Sequence, residues 1–124
     1  MYRFLSLSII LLLVCCQPAP ERNCEAFKIG TFTFTTTIDG LEKTTIFTRL
    51  EHIEIEAFEE KKDTSSVRWI NDCEYVLKKL NPKNQLEEKS IHIKILTTSD
   101  SSYTFEYNAI GDKRKFKGEA IKTH

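Results

Sequence analysis

A chain of 124 residues with 18 basic and 18 acidic side chains carries no formal net charge. That balance argues against a nucleic-acid partner, which needs a basic face or stripe, and the length suits one domain rather than two. Four cysteines and an apolar N-terminus raise the questions of compartment and anchoring first.

Residues 1–15 hold a single charge, Arg3, and an apolar run over 4–14 broken only by Ser6 and Ser8. This is the basic start and apolar centre of a secretory signal. As a helix the run would be about 16 Å long, half a bilayer core, and so a poor membrane anchor. At its end, Leu13, Val14, Cys15 and Cys16 resemble a bacterial lipobox, in which a small residue precedes the cysteine that receives lipid. The resemblance makes 1–15 a lipoprotein signal peptide and Cys16 the lipidated first residue of the mature chain. Cys15 departs from the Gly, Ala or Ser usual before the cut. Two other readings are a plain signal peptide cut nearer Ala19 and a vicinal metal or redox pair, although no second Cys or His cluster accompanies it. Acyl chains, at about 0.8 kcal/mol per buried CH₂, would hold a soluble domain on a membrane. The polar, proline-bearing QPAPERN that follows has the composition of a tether. The expected location is the cell envelope, as an outer-membrane lipoprotein on either face.

Cleavage would leave 109 residues with a net charge of −1, divided into a lipid-anchored tether over 16–23 and a single β domain over 24–124. Cys24 and Cys73 are then the remaining thiols. In an oxidising compartment two such cysteines pair more often than they stay separate. A bond would close a loop of about fifty residues, for which the loop-closure model assigns about 4 kcal/mol.

The first stretch of that domain, FKIGTFTFTTTI, has Phe27 and Ile29 at odd positions and Phe32 and Phe34 at even ones. Its apolar face switches at Gly30, where a bulge with positive φ is expected. EHIEIEAF puts Ile53, Ile55 and Ala57 on the inward face and Glu54 and Glu56 in solvent. CEYVLKKL sends Cys73, Tyr75 and Leu77 inward, SIHIKILTT sends Ile91, Ile93 and Ile95, and SYTFEYNA sends Tyr103, Phe105 and Tyr107. Turn formers such as Asp39-Gly40, Asn71-Asp72, Asn81-Pro82 and Gly111-Asp112 separate these runs. The pattern predicts about eight strands, near 27–38, 44–50, 52–58, 65–70, 73–80, 90–97, 102–109 and 115–122, and no convincing helix. Hairpin-length connections predict an all-β, antiparallel up-and-down meander, closed into a small lipocalin-like barrel or flattened into a sandwich.

FKIGTF, Arg49 before IEIE, and WINDCEYVL with its Trp-x-x-x-Cys-Glu-Tyr element are similar to a family of small secreted or lipid-anchored β-proteins of Bacteroidota, over about 24–121. The resemblance implies location and an all-β fold. The family has no settled activity, so it implies no substrate.

Trp69 and Tyr75 are expected as core or cavity-wall aromatics able to contact a ligand at a barrel mouth. Arg49, among apolar neighbours, needs a partner, with Glu74 or Glu51 the candidates; otherwise it is a surface arginine at a strand end. The acid-rich stretch 51–63 and the basic stretch 113–122 read as solvated strands and turns, or as a patch for a partner. His52, His92 and His124 are scattered without metal spacing, and neither a Gly-x-Ser-x-Gly elbow nor a Gly-rich phosphate loop occurs. No cofactor, metal site or catalytic residue is expected. The sequence therefore reads as a membrane-anchored binding module without catalysis, holding a small apolar ligand in a barrel. The alternative is an interaction or inhibitor lipoprotein that grips an envelope protein through its loops.

Overall fold

A computed structural model describes residues 21–124. The signal peptide over 1–15, the lipidation candidate Cys16 and its neighbour Cys15 lie outside the described residues.

Eight antiparallel strands follow one another around a closed barrel: β1 (Gly30–Ile38), β2 (Leu41–Arg49), β3 (Ile53–Phe58), β4 (Lys61–Asn71), β5 (Glu74–Lys79), β6 (Ile91–Thr98), β7 (Ser102–Ala109) and β8 (Phe116–Lys122). The expected meander is therefore a barrel, sealed where Phe32 pairs with Lys122 and Phe34 with Ala120. That seam is short, three residue pairs, and the upper parts of β1 (35–38) and β8 (116–119) lie beyond it. The tight turns are set locally. Asp39 and Gly40 have φ of 52° and 78°, the two left-handed residues of a type I′ hairpin. Between β3 and β4 the same conformation falls on Glu59 and Glu60. Between β5 and β6 one short helix, α1 (Gln85–Glu88), is capped by Asn84, whose side chain accepts from the Glu87 amide.

The two ends differ. One end is closed by a 3₁₀ turn, Cys24–Phe27, and by the connections at 50–52, 72–73 and 99–101. The other end, with Asp39-Gly40, Glu59-Glu60, α1 and Gly111, is the mouth. Phe27 was expected to open the first strand; it lies in the 3₁₀ turn instead, 1% exposed, with its ring 5.3 Å from that of Tyr103. Gly30 does have positive φ, 150°, but it heads β1 rather than bulging within it. A Cβ there would lie 2.8 Å from the His124 carbonyl oxygen, the group that accepts the Thr31 amide. The 3₁₀ turn is tied to the β4–β5 connection by the Cys24–Cys73 disulfide, with Cα atoms 5.3 Å apart.

Inward faces match the expected alternation on β1, β5, β6 and β7, where Phe32, Tyr75, Ile93, Ile95, Tyr103 and Phe105 form most of the core. Strand β3 is the exception. Glu54 points inward and is 7% exposed, whereas Ile53, Ile55 and Ala57 lie on the outer wall, Ile55 beside Thr48 and Thr64. The reason is register: across the short turn at 50–52, Arg49 stands directly opposite Glu54, so the two side chains must share a face.

Candidate functional site

The barrel interior is organised around Arg49, the last residue of β2. Its residue is 0% exposed. Nε donates to Glu54 Oε2 at 2.9 Å, Nη1 to the Phe27 carbonyl at 2.7 Å, and Nη2 to the hydroxyls of Tyr75 at 2.6 Å and Tyr103 at 2.9 Å. The guanidinium also lies 4.4 Å from the Tyr75 ring and 5.0 Å from that of Phe32, within cation–π range. Burial works against its charge, but the oxygens of Tyr75, Tyr103 and Glu54 outweigh it and hold the group protonated. The Tyr75 phenol is pushed well above its ordinary value by burial and stays neutral.

The expected partners of Arg49 are corrected. Glu74 instead contacts His92, with Nε2 to Oε1 at 3.1 Å, and accepts from Asn71, while Glu51 is exposed beside His52. Nor is Arg49 a surface residue at a strand end. Its hydrogen bonds go to a carboxylate, a backbone carbonyl and two phenols, so it braces the floor rather than facing open space.

Above that floor the interior opens. A cavity of about 280 Å³ is walled by inward residues of six strands, among them Phe34, Phe47, Leu77, Ile91, Phe105 and Tyr107, with Tyr75 and Tyr103 at its base. It lies near the small end of the range for ligand sites. Glu54 and Glu56 also line it; this corrects the expected solvent position of Glu54, whereas Glu56 is exposed as expected. The Glu54 carboxyl sits above its ordinary value because burial outweighs the attraction of Arg49. Glu56 is raised as well, by burial first and then by the charge of Glu54, against the pull of Lys79. Gly118 of β8 lets this wall close: a Cβ there would collide with the ring of Phe34 and come within 2.9 Å of that of Phe105.

Of the residues singled out in the sequence, Tyr75 reaches the cavity and Arg49 lies beneath it. Trp69 sits lower, its ring centroid 4.6 Å from that of Tyr75 and under the Lys28 ammonium, beside a shallow outer groove shared with Ile29 and Leu50. Sequence reasoning missed Glu54, Glu56 and Tyr103. The signal for Glu54 was present: an arginine and a glutamate flanking a tight connection meet across the ladder whatever the hydropathy of their neighbours. Among the described residues no group of three or more His, Cys, Asp or Glu side chains is arranged to hold a metal ion.

Fold and site together define a small closed antiparallel β-barrel with an arginine-braced floor and a cavity above it. No family model matches the chain, and no curated protein or solved structure matches it.

Proposed function

We propose that this protein is a lipid-anchored envelope binding module that holds a small ligand inside its barrel and performs no chemistry on it. The observation that carries the reading is the cavity above Arg49, walled mainly by aromatic and aliphatic side chains and open at the mouth. Such a chamber buries most of a small molecule while a few polar groups orient it. The anchor rests on the likeness of Leu13, Val14, Cys15 and Cys16 to a lipobox. Native mass spectrometry of the mature protein from its own host tests the interior: a retained small molecule supports the reading, and a bare polypeptide mass sinks it. Membrane fractionation tests the anchor. Cys16→Ser should move the protein to the soluble fraction while Cys15→Ala leaves it bound.

A second reading, contact with another envelope protein, is favoured by the mouth rim. Ile38 and Leu41 beside the first hairpin turn, Leu80 and Leu86 near α1, and Ile110 and Phe116 between β7 and β8 are all exposed, Leu86 by 74%. Others, Ile29, Leu50 and Ile70, stand at the sealed end, so the rim is the larger of two groups, and grouped apolar residues mark an interaction surface more often than scattered ones do. A protein co-purifying with the wild type but lost with Leu86→Glu would favour this reading over the first.

A further inference from the structure

We propose that the cavity selects an organic cation: an ammonium group carried on an aryl or alkyl body. This rests on the interior-ligand reading and adds the charge of the ligand to it. The argument starts from Glu54. Its Oε2 accepts Arg49 Nε, but Oε1 has no hydrogen-bond partner among the described residues. Every fully enclosed side-chain nitrogen or oxygen among those residues is partnered, so Oε1 of this almost wholly buried glutamate must open onto the cavity it lines. A carboxylate oxygen held at the base of an apolar chamber is an acceptor awaiting a donor.

Glu56 adds a second carboxylate one pleat nearer the mouth, where it is exposed to solvent. It has no ion-pair partner within 4 Å among the described residues, because Lys79, the nearest candidate, is occupied by Asp63 at 3.4 Å and Glu87 at 2.8 Å. Asp63 stands opposite Glu56 across β3 and β4, an arrangement of like charges that costs stability in a sheet. Glu54, Glu56, Asp63 and Glu87 thus outnumber Arg49, Lys79 and Lys89 along this wall. An anion would meet net repulsion there, and a neutral apolar ligand would leave Oε1 of Glu54 unsatisfied. An ammonium supplies donors to that oxygen, offsets the surplus charge, and finds the ring of Phe47 beside Glu56 and those of Tyr103 and Tyr107 on the facing wall for cation–π contact. The raised carboxyls fit the same picture, since a cation beside them would relieve the cost of ionising. A hard metal ion fits poorly, because it requires six or more oxygen ligands where the walls are mostly hydrocarbon.

Three probes that share a phenylethyl body separate charge from fit: 2-phenylethylamine, 2-phenylethanol and 3-phenylpropionate, titrated into the mature protein and followed by amide chemical shifts and calorimetry. The amine should bind at least about tenfold tighter than the alcohol, with shifts at Ile91, Tyr103 and Tyr107, and the carboxylate weakest. Glu56→Gln, near the mouth and outside the Arg49 network, should narrow the preference for amine over alcohol, and an unchanged preference overturns the share of the charge assigned to that residue. Equal affinity for amine and alcohol, with shifts in the cavity, overturns the charge assignment and leaves the interior reading standing. Binding of none of the three overturns the assignment too, while the retained-mass measurement judges the interior reading by itself.

Discussion

Around Arg49 the barrel is filled: Phe27, Phe32, Tyr75, Ile95 and Tyr103 are all at most 2% exposed, and the guanidinium among them is hydrogen-bonded on each of its three nitrogens. A turn higher, the same strands direct Phe34, Leu77, Ile91 and Tyr107 toward open space. Strand β3 contributes a glutamate to each half, two residues apart: Glu54 joins the floor network and Glu56 lacks a close cation. The contrast separates two uses of inward-facing charge. In the floor, a cation and an anion fix which strand faces point inward. At the cavity, surplus acid has no structural role in the floor's packing. An ion pair removed from water is weak evidence of net stability by itself; here it sets register at the end where the barrel is sealed.

The sharpest way to break the contrast is to remove the brace. Arg49→Met should cost about 3–5 kcal/mol in urea unfolding, because Glu54 and two phenols lose their buried partner. Adding Glu54→Gln should recover part of that loss. An Arg49→Met protein within about 1 kcal/mol of wild type would mean that the floor packs without it.

Next in size is the disulfide across the same end. With its cysteines 49 positions apart in the chain, loop closure assigns it about 4 kcal/mol. Cys24→Ala and Cys73→Ala together should be no worse than either alone, since each breaks one bond. Peptide mapping without reductant should recover the linked fragments.

In the upper half, Gly118→Ala tests how empty the cavity is. In a filled core the added methyl would cost about 1–3 kcal/mol. If Phe34 can swing into the chamber, the cost should fall to the low end of that range and ligand capacity should shrink with it.

Glu56→Gln should have the smallest effect, within about 0.5 kcal/mol at neutral pH. Its sign with pH is informative. Both cavity carboxyls sit above the ordinary glutamate value of 4.5. Their contribution to folding is therefore fully present below that pH and lost as pH rises through the raised values. Glu56→Gln should flatten that decline, and an unchanged stability–pH slope above 4.5 would show that neither desolvation nor the neighbouring charges raise Glu56.

Strand number, order and turns were legible because each rests on local chemistry: alternation of period two, left-handed turn residues and short connections. Closure was legible too, as one of two outcomes that bury the same faces. Strand β3 was not, because the rule that apolar residues face inward competes with the need of a buried arginine for a carboxylate, and in this strand the second prevails. Ile53 and Ile55 then occupy the outer wall beside Thr48, Thr64 and Ser66, where β-branched side chains suit a half-covered pleat. Phe27 was misread for a related reason. Its apolarity signals burial, but a plug across the end of a barrel buries a phenylalanine as well as a strand does.

The N-terminal side of the domain is fastened to the sealed end: Asn23 donates its amide to Thr98 Oγ1, and Arg22 donates to the Ile95 carbonyl. A stretched chain from residue 16 to residue 21 reaches no further than about 18 Å. Anchoring through Cys16 would therefore keep the plug toward the bilayer and lift the opening about 25 Å beyond it, the length of a tilted strand. A cargo would then arrive from the aqueous space or from a surface opposite, rather than from the leaflet in which the protein is rooted.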